Sequence, residues 1–236
     1  MHFHVPKPIH GWKQFFNEVV VIAVGIAIAL SCEQLLETWN EHHQATRSLA
    51  AIKDEIGNNV GSLKARLATD GCIDRRLDEV ARYVEAPTGG VRPKWVGRPQ
   101  LWVMNHSAAD AARSYGSLTA LPRDEQMVIA NIYGGFEAIS DYEKDEQFAW
   151  AELRSITEDR EVTDSDQASL RQAIQRARLA TWAVRINSLQ VSAEAKHDLG
   201  VDPDPGIVGS KSVCVSMTTP FDEAVKLSGS GYGEPR

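Results

Sequence analysis

The chain has 236 residues and a formal charge of −7, with 25 Lys and Arg against 32 Asp and Glu. That length can bury one sizeable core or two small ones, and the acidic balance argues against a nucleic acid partner, because phosphate binding draws on clustered Lys and Arg. Three cysteines, Cys32, Cys72 and Cys214, are too few for a disulfide framework of the kind that holds small secreted domains together.

Apolar residues are concentrated near the N-terminus. Val19 to Cys32 reads VVVIAVGIAIALSC and carries no charge. As a helix this run covers about 21 Å, short of a hydrocarbon core of ~30 Å. Its flanks extend it: Phe15 and Phe16 precede, Leu35 and Leu36 follow, and Trp12 and Trp39 bracket the whole. The two tryptophans are about 40 Å apart along a helix, near the ~40–45 Å of a bilayer with its headgroups, and Trp favours both interfacial levels. Residues 15–36 are therefore expected to form a transmembrane helix, with residues 1–14 as a short cytoplasmic N-terminus and the lipid bilayer as a partner. A cleaved signal fits poorly, since Glu18 abuts the apolar run and Ala29-Leu30 does not suit lipoprotein cleavage before Cys32.

Orientation follows from the flanks. Lys7 and Lys13 precede the run with no acid before Glu18, whereas Glu33, Glu37 and Glu41 follow it before Arg47. This basic bias places the N-terminus in the cytoplasm and the bulk of the chain outside, which in a Gram-negative bacterium means the periplasm. Glu18 would lie at the hydrocarbon edge. Ala23, Ala27 and Ser31 form one line of small residues at i, i+4 spacing, and Gly25 and Ala29 form another. Such lines let helices approach closely, so these residues are candidate contacts with a membrane protein partner or a second copy of the chain.

The stretch FFNEVVVIAVGIAIALSCEQLLETWNEHHQATRSLAAIKDEIGNN resembles the start of a family of uncharacterised bacterial single-pass membrane proteins. These share an acidic residue before the span, a V-x-G-x-x-I-A-L core, a Trp-bearing polar exit and a Glu-Ile-then-Asn pattern, here Glu55, Ile56, Asn58 and Asn59. The likeness covers roughly residues 12–70. It implies an anchor and a helical stalk, and it carries no activity and no catalytic residues.

Beyond the span, Leu35, Trp39, Ala45, Leu49, Ile52, Ile56, Val60, Leu63 and Leu67 recur at mostly three- and four-residue steps, the stripe of a continuing amphipathic helix. Gly57 and Gly61 weaken that helix and suggest a bend. A break near Asp70 or Gly71 leads into a second helix with Ile73, Leu77, Val80 and Val84 inward and Arg75, Arg76, Asp78, Glu79 and Arg82 mostly outward.

Residues 86–106 form a long connection punctuated by Pro87, Gly89, Gly90, Pro93, Gly97 and Pro99. Its basic and aromatic residues, with Trp95, Arg98 and Trp102 foremost, are candidates for touching headgroups or an acidic partner, or for folding back to cap the bundle. A short helix is expected from about Ser107 to Tyr115. Pro122 opens another, with Asp124 and Glu125 suited to its N-terminal dipole. Its stripe runs through Ile129, Ile132, Phe136, Ile139, Tyr142, Ala149, Leu153 and Ile156. Thr163 or Ser165 caps the last long helix, whose inward residues are Leu170, Ile174, Ala177, Thr181, Val184 and Val191, with Arg171, Gln175, Arg178 and Arg185 toward water. Gly200, Pro203 and Pro205 end it, and 201–236 reads as an irregular tail draped on the bundle around Val213 to Val215.

Motifs for chemistry are sparse. A di-iron bundle needs two Glu-x-x-His pairs, and Glu194 with His197 is the single one present. His42 and His43 point to different faces, His2 and His4 lie at the terminus, and His106 with Asp110 suits a helix cap. No Walker loop, dinucleotide fingerprint, nucleophile elbow or H-E-x-x-H occurs, and the glycines at 229, 231 and 233 precede no helix. No metal or cofactor is expected. Cys72 and Cys214 are candidates for one disulfide if the domain is exported. The expectation is an all-α protein: a transmembrane helix, a stalk and antiparallel bundle over 37–200, and the tail. Its expected role is non-enzymatic interaction or scaffolding in the bacterial inner membrane, with a ligand-sensing periplasmic bundle as the alternative.

Overall fold

The computed structural model describes residues 11–86, 91–158 and 162–229, with residues 13 and 14 in backbone only. His2, His4, Lys7, Pro87, Gly89, Gly90, Gly231 and Gly233 lie outside the described residues. The fold is all-α, with no strand among the described residues. The described residues form six α-helices in chain order: α1 Trp12–Leu67, α2 Asp70–Glu85, α3 Ser107–Ser114, α4 Arg123–Leu153, α5 Asp164–Leu199 and α6 Phe221–Leu227.

α1 has two halves with opposite environments. Every described side chain from Trp12 to Gln44 is exposed, and burial begins at Ala45. Leu35 and Trp39, expected on the core stripe, are exposed, because no other described helix reaches so far along α1. From Ala45 onward the stripe enters the bundle through Ile52, Ile56, Val60 and Leu63.

α4 and α5 form an antiparallel pair, and their facing apolar lines supply much of the main core, including Ile132, Phe136 and Ile139 from α4 and Val184 and Val191 from α5. A second cluster joins α2 to the distal ends of that pair, with Ile73, Leu77 and Val80 packed among Trp150, Leu153 and Ile174. Helix ends follow their sequence signals. Thr163 and Asp166 make a reciprocal capping box at the start of α5, and Gly200 closes α5 in the left-handed conformation at φ 66°. Pro122 sits at the N-cap of α4, just before its first helical residue. Tyr142, expected inward, is exposed, because the buried line of α4 runs through Glu143 instead.

Gly57 and Gly61 lie within α1, which runs unbroken to Leu67. They make room for the chain that follows α5. The Asp204 N–H donates to the Gly57 carbonyl at 3.0 Å, and a Cβ on Gly61 would stand 2.8 Å from the Asp204 carbonyl oxygen. The tail is thus laid along α1 as a strap, then ordered further by α6 and by burial of Val213 and Val215, rather than irregular throughout. Gly61→Ala is expected to cost roughly 1–3 kcal/mol by overpacking despite better helix propensity. Gly71→Ala, which meets open space on α2, should be neutral or slightly stabilising. Denaturant midpoints of the two variants decide the matter, and equal midpoints would remove the packing explanation.

Candidate functional site

Three arrangements carry polar chemistry. The first is a charged cluster inside the bundle. On α1 the stripe of the core reaches Arg66, and on α4 the line Ile132, Phe136, Ile139 continues through Glu143 and Glu146, all three buried. The Arg66 guanidinium donates at 2.8 Å both to Oε1 of Glu146 and to Oδ1 of Asp70. Thr181 on α5 donates its hydroxyl to the same Glu146 oxygen at 2.5 Å. Arg185, expected to face water, turns to α2 instead and pairs with Asp70 at 2.7 Å and Asp74 at 2.8 Å. Four helices therefore meet on one ion network. α4 runs parallel to α1, with Tyr133 at Glu55 and Glu146 at Arg66, and α5 runs antiparallel to both.

Glu143, wholly buried, accepts the Trp102 backbone N–H at 3.2 Å on one oxygen, while the other has no partner among the described residues. Burial pushes its carboxyl up to about 8, against the pull of that N–H and of the Arg66 charge; Glu146 nearby adds to the rise. Burial likewise raises Glu146, opposed by Arg66 and Thr181. The sign for stability follows directly. The folded state holds its Glu143 proton where the unfolded chain, near the ordinary 4.5, has released it. Stability is then greatest below about 4.5 as far as this group goes, and it falls as pH rises toward about 8. Glu143→Gln should flatten the fall in denaturation midpoint between pH 5 and pH 8. An unchanged slope would show that the group does not titrate in this window.

A second arrangement surrounds Glu55, which is 8% exposed. One oxygen accepts the Tyr133 hydroxyl at 2.5 Å, and the other accepts the Ser107 hydroxyl at 2.8 Å and the Ala108 N–H at 2.9 Å. His106 occupies the N-cap position of α3 without a side-chain cap bond, so a carboxylate from α1 caps α3 through space. Although desolvation opposes it, the hydrogen bonds from Tyr133, Ala108 and Ser107 together hold the Glu55 carboxyl below its ordinary value. Beside this point His106, Asp110, Arg113, Tyr133 and Glu137 line a cleft of about 230 Å³.

The third arrangement binds the long connection and the tail to α2. Arg76, expected outward, is buried: its guanidinium donates to the carbonyls of Val96 and Val215 and, at 3.0 Å, to Glu79. Three otherwise separate segments converge on that one side chain, which is why it faces inward. Cys72 at the start of α2 and Cys214 in the tail form a disulfide, with Cα atoms 4.9 Å apart. The Trp95 indole donates to the Ser212 carbonyl at 2.9 Å and meets Phe221 edge-on. Arg98 reaches Gln147 at 3.4 Å, and Trp102 packs against the main core. The connection lies folded onto the bundle.

The candidate membrane contacts Glu18, Ala23, Gly25, Ala27, Ala29 and Ser31 all lie on the exposed half of α1, and the Ser31 hydroxyl is satisfied by the Ala27 carbonyl at 2.7 Å. Among the described residues no group of three His, Cys, Asp or Glu is placed to hold a metal ion. His197, highly exposed, pairs with Asp198 rather than Glu194. Glu143 and Glu146 line neither the His106 cleft nor the 440 Å³ cleft between Arg82 and Thr218. Enclosed between helices, they join elements to one another. No protein-family model, characterised protein or solved structure matches the chain.

Proposed function

We propose that the chain is an anchored envelope protein: the exposed half of α1 crosses a bilayer, and the bundle stands outside the cytoplasm as a surface for a protein partner. One observation carries this reading. An 18-residue window of α1 has a mean hydropathy of 2.3, and none of it is buried. A core helix would have its apolar residues covered by the protein itself. Here water would meet a full cylinder of Val, Ile, Ala and Leu, at about 25 cal/mol per Å² of apolar surface, whereas lipid covers all sides equally.

Two further observations support the orientation. Lys7 and Lys13 precede the span while Glu33, Glu37 and Glu41 follow it. The Cys72–Cys214 bond belongs to an oxidising compartment such as the periplasm. The resemblance of residues 12–70 to uncharacterised bacterial single-pass proteins agrees with both, and points to the inner membrane. The scaffold role rests on the enclosed placement of the buried carboxylates, which leaves the surface of the bundle as the working part.

The reading is tested by washing bacterial envelopes with alkaline carbonate. Retention of the intact chain in the pellet is expected, together with an active periplasmic phosphatase and a dark cytoplasmic reporter when each is fused after residue 236. Release into the wash sinks the anchor.

A further inference from the structure

Five apolar side chains stand along one flank of α5: Leu179, Trp182, Ile186, Leu189 and Ala193. Leu179, Trp182 and Leu189 are 67%, 57% and 51% exposed, Ala193 is exposed and Ile186 is half-buried. The inward line of α5 runs through Ala177, Thr181, Val184, Ser188 and Val191, so these five are not part of the core. At 100° per residue they lie opposite the side that packs on α4. Their steps are three, four, three and four residues, the 3.5-residue repeat of a coiled-coil seam, with Ile186 at an a-type position between Trp182 and Leu189 at d-type positions.

We infer that a second copy of the chain docks on this stripe, α5 against α5 in parallel, about a twofold axis along the membrane normal. Three observations select that occupant, given the anchored reading above on which the inference rests. First, Arg178 and Arg185 flank the stripe, and each is already paired with acids of α2, Asp78 for the former and Asp70 and Asp74 for the latter. Two copies therefore meet without like-charge repulsion. Second, the seam covers about 21 Å of helix and offers less than the roughly 800 Å² per partner of a stable soluble complex. A freely diffusing partner would not be retained, whereas copies anchored in one membrane meet at a high effective concentration. Third, anchoring stands both copies the same way up, and in the heptad of Ile186 and Leu189 a β-branched residue at a with Leu at d favours two strands among parallel coiled coils.

The experiment uses the full chain in its membrane, with Cys32→Ser removing the remaining free thiol, since Cys72 and Cys214 are bonded to each other. Leu189→Cys is expected to give an oxidant-dependent species of twice the chain's mass. Its yield should be at least tenfold above that of Phe148→Cys, a more accessible position on α4, 74% exposed. Adding Trp182→Glu should abolish the product, with the thermal midpoint unchanged as the check on folding. Equal yields at the two positions, a product with a different protein, or indifference to Trp182→Glu each overturn the pairing. If carbonate releases the chain, anchoring and pairing fall together; a retained chain with no Leu189→Cys product overturns the pairing alone.

Discussion

Arg66→Ala is expected to lower the stability of the bundle by about 3–5 kcal/mol, the usual loss when one partner of a buried ion pair is deleted. The side chains of Arg66 and Glu146 are 1% and 0% exposed. Without the guanidinium, Glu146 keeps only the Thr181 hydroxyl, while Asp70 retains Arg185. The loss therefore falls mainly on one uncompensated carboxylate, the element linking α1 to α4 and α5. Adding Glu146→Leu to Arg66→Met should recover most of the loss, since apolar groups of similar volume replace a buried pair at little cost. Arg178→Ala is the contrast: its pair with Asp78 is exposed and should matter by no more than about 1 kcal/mol. Chemical denaturation of the full chain in detergent gives all three values. An Arg66→Ala effect no larger than that of Arg178→Ala would mean that water already reaches the network.

The second large effect concerns the disulfide. It closes a sequence separation of 142 residues, for which the chain-entropy model gives about 5 kcal/mol. Cys72→Ala should lower the unfolding free energy by an amount of that order and abolish the response of the denaturation midpoint to a dithiol reductant. Cys32→Ala, at an exposed free thiol, should leave both unchanged. A midpoint insensitive to reductant in the unsubstituted chain would show that strap, Arg76 contacts and Trp95 hold the tail unaided.

Much of the fold is legible in the residues because helix periodicity and end signals are local. The apolar run from Val19, the stripe from Ala45 to Leu63, the Thr163 cap and the Gly200 stop each act over a few residues, and each sits where the sequence places it. The ion network was harder to see, although its signal is present. In α4 the buried positions 132, 136, 139, 143, 146, 150 and 153 step by four and three without a break, and two of them are Glu. The same holds for Arg66 at the end of the α1 stripe and Arg76 on α2. A stripe read only from apolar letters steps aside to Tyr142 and leaves the arginines to solvent; a stripe read by position runs through the charges and asks for their partners. The partners themselves, Thr181 or the Val215 carbonyl, are long-range and have no local signature. Gly57 and Gly61 have a role with no local signature for the same reason, since they accommodate a strap from about 140 residues further on.

The unbroken course of α1 also has a mechanical consequence. No glycine or proline lies between Leu36 and Ala45, so no joint separates the apolar half from the half clamped among α3, α4 and α5. The 33 residues from Trp12 to Gln44 form a lever arm of about 50 Å. A 10° tilt of the clamped half would swing its far tip by roughly 9 Å on that length, and a twist of the bundle would turn the whole arm through the same angle. Torque applied at one end is delivered at the other.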